Sequence, residues 1–308
     1  MTTSRFALAA AALGATLSAP AARSDRPAAP AAAASLTVSG DWLAEHLKDS
    51  NLVLLHVGDR AEYDAGHIPG ARFATQRDVA VSSDDHERGL MLEMPGDDSL
   101  KADLERLGIS DGSRVVVYYG NDWISPSTRI IFTLANAGLG ERSSLLDGGM
   151  QQWIAAGRAL TTDVPPARRG TLSRLKMQHL IVDAAWVQKH LRAKGYAFVD
   201  GRAASFYDGV EATGPRKGHI PGAHSVPFTD VTDDKLRIKP VEALRALFAN
   251  AGVQPGDTVV GYCHIGQQAT AMLFAARALG HPVRLYDGSM QEWSRRTDLP
   301  IEAPRGSQ

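Results

Sequence analysis

The sequence predicts an α/β protein made of two tandem copies of one domain, each a mainly parallel sheet with helices on both faces. Three observations carry this prediction. Four segments recur in the same order in the two halves. Within each half, short buried-strand signals alternate with helical ones. Between the halves lies Pro165-Pro166-Ala167-Arg168-Arg169-Gly170, which has the composition of a connection. At 308 residues the chain has room for two cores, a domain needing roughly 100–200 residues.

Val38–Leu47 (VSGDWLAEHL) matches Val182–Leu191 (VDAAWVQKHL) without a gap. Val57-Gly58-Asp59-Arg60 is expected to answer to Val199-Asp200-Gly201-Arg202. The turn Gly66-His67-Ile68-Pro69-Gly70-Ala71 recurs identically as Gly218-His219-Ile220-Pro221-Gly222-Ala223, and Asp147–Trp153 (DGGMQQW) as Asp287–Trp293 (DGSMQEW). These matches place a first domain over 36–164, a linker over 165–178 and a second domain over 179–308. In the second copy, Ala197-Phe198-Val199 reads as a short buried strand and Val241–Ala251 as a helix. Thr258–Tyr262 reads as a strand, Ala269–Leu279 as an amphipathic helix and Val283–Tyr286 as a further strand. Strands separated by helices of this length make a parallel sheet covered on both faces. In such sheets ligands sit beyond the carboxyl ends of the strands.

The N-terminus reads as a targeting segment. Arg5, the apolar run Phe6–Leu17 and the small residues Ser18-Ala19-Pro20-Ala21-Ala22 have the order of a secretory signal peptide over 1–22. An Ala/Pro-rich leader follows over 23–35. The expected location is outside the cytoplasm, most simply the periplasm, with no membrane span in the mature protein, because no later segment is long and apolar enough. Lys and Arg total 33 against 34 Asp and Glu, a net charge of -1, so the overall charge gives no attraction to nucleic acid or to an anionic membrane. No obligate protein partner, metal or organic cofactor is implied: Walker, dinucleotide, zinc-ligand and serine-elbow patterns are all missing from the sequence.

Cys263 is the only cysteine. An exported protein usually carries cysteines in pairs, and a lone thiol is either a small buried hydrophobe or a reactive group. Its position favours reactivity. Cys263 directly follows the strand Thr258–Tyr262 and opens the loop Cys263-His264-Ile265-Gly266-Gln267-Gln268, which leads into a helix. A tight turn into a helix N-terminus presents backbone N–H groups and the positive end of the helix dipole, an environment that stabilises an anion. Gly266 allows the backbone angles such a turn needs.

With the tandem GHIPGA turns, the VDGR strand end, the DG…W segments and the CxxGxQ loop in place, the chain resembles the rhodaneses, or thiosulfate sulfurtransferases, from about Leu36 to its end. The resemblance implies a sulfurtransferase working by a ping-pong mechanism: the Cys263 thiolate takes a sulfur from an anionic donor such as thiosulfate, and a thiophilic acceptor, cyanide or a thiol, removes it. It further implies that the loop residues His264, Ile265, Gly266, Gln267 and Gln268 hold the persulfide. Arg202 would bind the donor anion, with Arg216 and Lys217 as further cations, and Asp200 and His219 would support the structure. In tandem rhodaneses the first domain is typically inactive, and here Tyr119 stands opposite Cys263 in the alignment, so the first copy is expected to be silent. Ile265 stands where 3-mercaptopyruvate sulfurtransferases carry a serine, which favours thiosulfate. Ala269 stands where a phosphatase of this fold would need arginine. Mercaptopyruvate chemistry and a persulfide carrier with little turnover remain as alternatives.

Overall fold

The computed structural model describes Met1 and residues 36–85, 89–121 and 123–303. The proposed signal peptide and leader therefore lie, apart from Met1, outside the described residues. The first unit runs β1 (Thr37–Val38), α1 (Gly40–His46), β2 (Leu52–Val57), α2 (Arg60–Ala65), β3 (Arg72–Ala74), α3 (Asp97–Arg106), β4 (Arg114–Tyr119), α4 (Ser125–Asn136), β5 (Ser143–Leu146) and α5 (Gly149–Ala155). The second repeats that order as β6 (Ile181–Val182), α6 (Ala184–His190), β7 (Tyr196–Asp200), α7 (Ala204–Tyr207), β8 (His224–Ser225), α8 (Val241–Asn250), β9 (Thr258–Tyr262), α9 (Gln268–Ala278), β10 (Val283–Tyr286) and α10 (Ser289–Trp293). Each forms a five-stranded sheet, in the orders β1-β5-β4-β2-β3 and β6-β10-β9-β7-β8. All strand pairings within both sheets are parallel. The expected α/β architecture is thus present twice, with the helix and strand bounds of the second copy within two residues of those read from sequence.

Local chemistry explains the elements. Ser39 caps α1 by accepting from the Trp42 N–H, and Asp183 caps α6 by accepting from that of Trp186. Residues 53–57 and 115–119, at the heart of the first sheet, are all buried, as strands covered on both faces must be. Helices α4 and α9 meet between the two sheets, with the Thr128 and Thr270 hydroxyls 2.9 Å apart. Helix α9 is buried without interruption from Ala269 to Ala276, and α4 from Ser127 to Asn136. A helix buried all round has neighbours all round, and the two copies accordingly share one continuous apolar cluster. The connection is not loose either. The Glu105 carboxylate receives Arg169 Nη2 at 2.8 Å and the Leu172 N–H at 3.0 Å, which fastens the chain beyond residue 168 onto α3.

One sequence match is overturned. The repeat partner of Arg202 is Gly58, not Arg60. Tyr118 and Tyr262 make the same bond in the two copies, their hydroxyls accepting the N–H of Ile68 and Ile220. Tyr118 pairs in register with His56, and Tyr262 with Asp200. Asp200 therefore corresponds to His56, two residues away from the Val57–Arg60 match. Arg60 instead starts α2 and makes an exposed pair with Asp64. The similarity of the two tetrapeptides came from composition, while the register is set by which side chains the tyrosines reach.

Candidate active site

Strand β9 ends at Tyr262, and Cys263 follows it at the carboxyl edge of the sheet. The thiol is fully buried, so the structure encloses it more tightly than a reactive loop position suggests. Its surroundings include polar groups. The Cys263 N–H donates to Ser289 Oγ at 3.2 Å, and the Ser289 hydroxyl donates onward to Tyr286 O at 2.9 Å. Ser289 adopts φ +49°, a left-handed conformation that costs a residue with a side chain. The Cys263 and His264 carbonyls are held by the N–H groups of Met290 and Gln291. The loop carbonyls are thus tied down from below, whereas none of the N–H groups from His264 to Gln268 donates to another described residue. Amides without a protein partner at a helix N-terminus are what an incoming anion requires.

Gly266 has φ +77°, and a Cβ there would stand 2.8 Å from Asp287 Oδ1 and 3.0 Å from Arg129 Nη1. Glycine is required both for the turn and for the space. The neighbour Arg129 comes from α4 of the other domain. It is fully buried, donates through Nη1 to Gly266 O at 2.9 Å and to Asp287 Oδ1 at 2.6 Å, and through Nη2 to Leu92 O at 2.5 Å. The Met94 N–H meets the second Asp287 oxygen at 2.6 Å. Gln267 accepts from Gln76 at 3.0 Å and donates to Ser125 Oγ at 3.2 Å, while the buried Gln268 Oε1 has no partner. The first domain therefore forms one wall of the loop.

Arg202 and Asp200 form a buried ion pair at the end of β7. Arg202 Nε reaches both carboxylate oxygens at 3.0 and 3.1 Å, and Nη2 reaches Asp200 Oδ2 at 2.6 Å and Gly218 O at 2.8 Å. Burial disfavours the Arg202 cation, but the Asp200 carboxylate, with Tyr262 and Cys263 behind it, more than offsets this and raises its pKa above the ordinary value. Two of its three guanidinium nitrogens are engaged, and Nη1 donates to no described residue. The structure thus brings Arg202 and Asp200 close to the cysteine loop. It does not bring Arg216 there: that guanidinium holds the carbonyls of Trp293, Ser294 and Leu299. Lys217 reaches Val210 O at 3.3 Å. His219 stacks on Tyr207 at 3.8 Å and bonds Tyr207 O at 2.8 Å, a role inside the turn.

His264 brings no positive charge to the loop at neutral pH. Burial, reinforced by the Arg202 cation, lowers its pKa to about 4, so the ring is neutral at neutral pH. Nδ1 is shared with the Thr213 hydroxyl at 2.8 Å, and the Phe206 ring packs edge-on at 4.6 Å. Ile265 is half-buried beside it. Sequence reasoning missed Ser289, Asp287 and Arg129. The first two lie in the DG…W segment, read from sequence only as a repeat, although the serine stands where the other copy has Gly149. Arg129 was marked only as a charge inside the otherwise uncharged run of α4.

Comparison with known proteins identifies the family. The family model for the rhodanese-like domain matches twice, over residues 39–156 and 183–296. A probable 3-mercaptopyruvate sulfurtransferase of Pseudomonas aeruginosa is 36% identical, covering 86% of this chain and 96% of its own. A sulfur carrier protein of Thermus thermophilus is 33% identical over 86% of this chain and 95% of its own. The thiosulfate sulfurtransferase of Rattus norvegicus is 31% identical over 87% and 95%. Among solved structures, an anaerobic ergothioneine biosynthesis enzyme from Chlorobium limicola superposes with a TM-score of 0.77 at 22% identity, covering 87% of this chain and 70% of that one, a likeness of fold alone. With two family matches in tandem and relatives of this similarity along nearly their whole length, the chain belongs to the rhodanese family.

Proposed function

We propose that this protein is a sulfurtransferase that carries sulfane sulfur on Cys263, with thiosulfate or a similar small anion as donor. The observation that carries the reading is the loop after β9: one cysteine followed by five backbone N–H groups, His264 to Gln268, with no acceptor among the described residues. In the first half-reaction the Cys263 thiolate attacks the outer sulfur of thiosulfate. The S–S bond of the donor breaks, its electron pair leaves with sulfite, and the enzyme holds Cys–S–S⁻. In the second, cyanide attacks the terminal sulfur, the persulfide S–S bond breaks with its electron pair returning to Cys263 Sγ, and thiocyanate departs. A thiol acceptor leaves as the hydropersulfide in the same way. The persulfide is an anion with no proton to share, so several N–H donors suit it better than a general base.

Arg202 and the loop amides would share the donor's charge, and the neutral His264 would add at most one donor. Ile265 gives the loop no hydroxyl with which to hold a carboxylate donor, and this supports thiosulfate over 3-mercaptopyruvate. Relatives with either name are similar to this chain. The test is thiocyanate production from cyanide with thiosulfate and with 3-mercaptopyruvate, by the wild type and by Cys263→Ser. Faster turnover with thiosulfate, abolished in the variant, is expected. A stable gain of one sulfur on Cys263 without turnover would instead make the protein a carrier, as the name of the Thermus relative says of that protein. Turnover that survives Cys263→Ser would refute the reading.

A further inference from the structure

We infer that Arg129, contributed by the domain without a cysteine, is a positioning residue that aims the sulfur-holding loop of the other domain. The inference rests on the role proposed for Cys263. Arg129 Nη1 donates to Gly266 O at 2.9 Å, in the middle of the loop. Gly266 C=O and Gln267 N–H belong to one planar peptide unit, and the described residues contain no cis peptide. In a trans peptide the two groups point in opposite directions. Holding the carbonyl against Arg129 therefore turns the Gln267 N–H away from the domain interface, and that N–H has no acceptor among the described residues.

The clamp is rigid for two reasons. Asp287 accepts from Arg129 through one oxygen and from the Met94 N–H through the other, so one carboxylate fixes both the arginine and the 92–94 segment. Gly266 is packed so closely that a methyl group would stand within 3.0 Å of both Arg129 and Asp287. A buried guanidinium with a carboxylate partner is costly to desolvate, and apolar packing would stabilise the interface as well. Domain docking alone thus gives no reason for an arginine here.

The reverse contact makes the point sharper. Thr128 and Thr270 touch across α4 and α9 and mark counterpart positions. The next residues are Arg129 on one helix and Ala271 on the other. Leu92 and Leu236 are likewise counterparts, both left-handed at φ +58° and +59°. The Leu92 carbonyl takes Arg129, whereas the Leu236 carbonyl takes the Tyr119 hydroxyl at 2.7 Å. The guanidinium clamp is thus directed at the loop that carries the cysteine and is not returned to the loop that does not.

The test uses the full chain with Arg129→Met and Arg129→Lys, whose single ammonium group cannot serve Gly266 O, Asp287 and Leu92 O together. The rate of Cys263 alkylation by iodoacetamide is measured against pH, beside kcat and KM for thiosulfate and the melting temperature. In Arg129→Met the pH midpoint of alkylation is expected to rise by about one unit, a roughly tenfold slower reaction below the midpoint, because the thiolate loses an aligned N–H. kcat should fall by a similar factor with a smaller change in KM, and Arg129→Lys should move the same way by less. Lower melting temperature with a wild-type alkylation profile, in either variant that folds, overturns the inference. Alkylation needs no sulfur donor. A wild type that turns over neither thiosulfate nor 3-mercaptopyruvate therefore refutes the proposed function while the pH profile still reads the role of Arg129.

Discussion

The two domains share one fold and differ at the carboxyl ends of the same two central strands. In the second domain those ends carry Asp200 as the last residue of β7, Arg202 just after it and Cys263 after β9, with Ser289 beneath the cysteine. In the first, the counterparts are His56, Gly58, Tyr119 and Gly149. Tyr119 fills the cysteine's place, and its ring lies so close to Gly149 that a Cβ there would meet it at 2.7 Å. Ser289 can keep its side chain in the same left-handed turn because Cys263 is small and offers an N–H to the hydroxyl. The loops differ too. In the first domain the Glu62 carboxylate accepts the Asn121 N–H at 2.8 Å, so the loop's own chain supplies an anion. In the second, the loop amides from His264 to Gln268 have no acceptor among the described residues, and Phe206 packs on His264 instead. The two copies thus differ by more than a thiol: in the first an Asn121 N–H is taken by Glu62, and the neutral His56 and Gly58 stand where the second has its ion pair. The domain without a cysteine forms one wall of the cysteine loop.

Three measurements would sharpen or break this contrast. The largest effect is expected at Arg202. Its pair with Asp200 is buried, the side chains being 3% and 0% exposed, and Arg202→Met strands the Asp200 carboxylate. Removing one partner of a buried pair costs about 3–5 kcal/mol, which denaturant unfolding would show. Arg60→Met, at the site that the sequence had equated with it, breaks a pair exposed by 63% and 51% and should cost under about 1 kcal/mol. Equal losses at both positions would contradict the corrected register.

The second measurement concerns acid. His56, the counterpart of Asp200, has its pKa lowered to about 4, first by burial and then by the neighbouring His67. Its folded-state value lies below the unfolded one of about 6.5, so between these values the unfolded chain binds more protons. Stability is therefore full above pH 6.5 and falls as pH drops towards 4, by about 2 kcal/mol between pH 7 and pH 5 from His56 alone. His264 titrates in the same direction. His56→Gln should flatten this part of the profile, and an unchanged slope would show that His56 is not held neutral.

The smallest effect belongs to Tyr119→Phe. It removes the hydroxyl bond to Leu236 O and should cost about 1 kcal/mol while leaving sulfur transfer within a factor of two. A large loss of turnover would show that the first domain's loop takes part in the chemistry.

Much of this molecule was legible in the linear chain. The doubled fold followed from the GHIPGA and DG…W repeats, and half the elements of the second copy from hydrophobic periodicity, because both report local preferences that tertiary contacts reinforce. The strand end before Cys263 could be read for the same reason, since a buried run such as TVVGY has one sensible end. The register of Asp200 and Arg202 could not. Short similar tetrapeptides fit at more than one offset, and only the tyrosine hydroxyls, reaching across to Ile68 and Ile220, fix which one the sheet adopts.

What the sequence by itself determined is the architecture, the single thiol and the strand end it occupies. Only the tertiary structure decided that His264 is neutral, that Ser289 receives the cysteine's N–H, and that Arg129 from the other domain clamps Gly266. The physical reason is range. Helix, strand and turn preferences are settled among residues a few positions apart, whereas charge state and loop orientation depend on burial and on partners 26 and 137 positions away, and no local pattern encodes those.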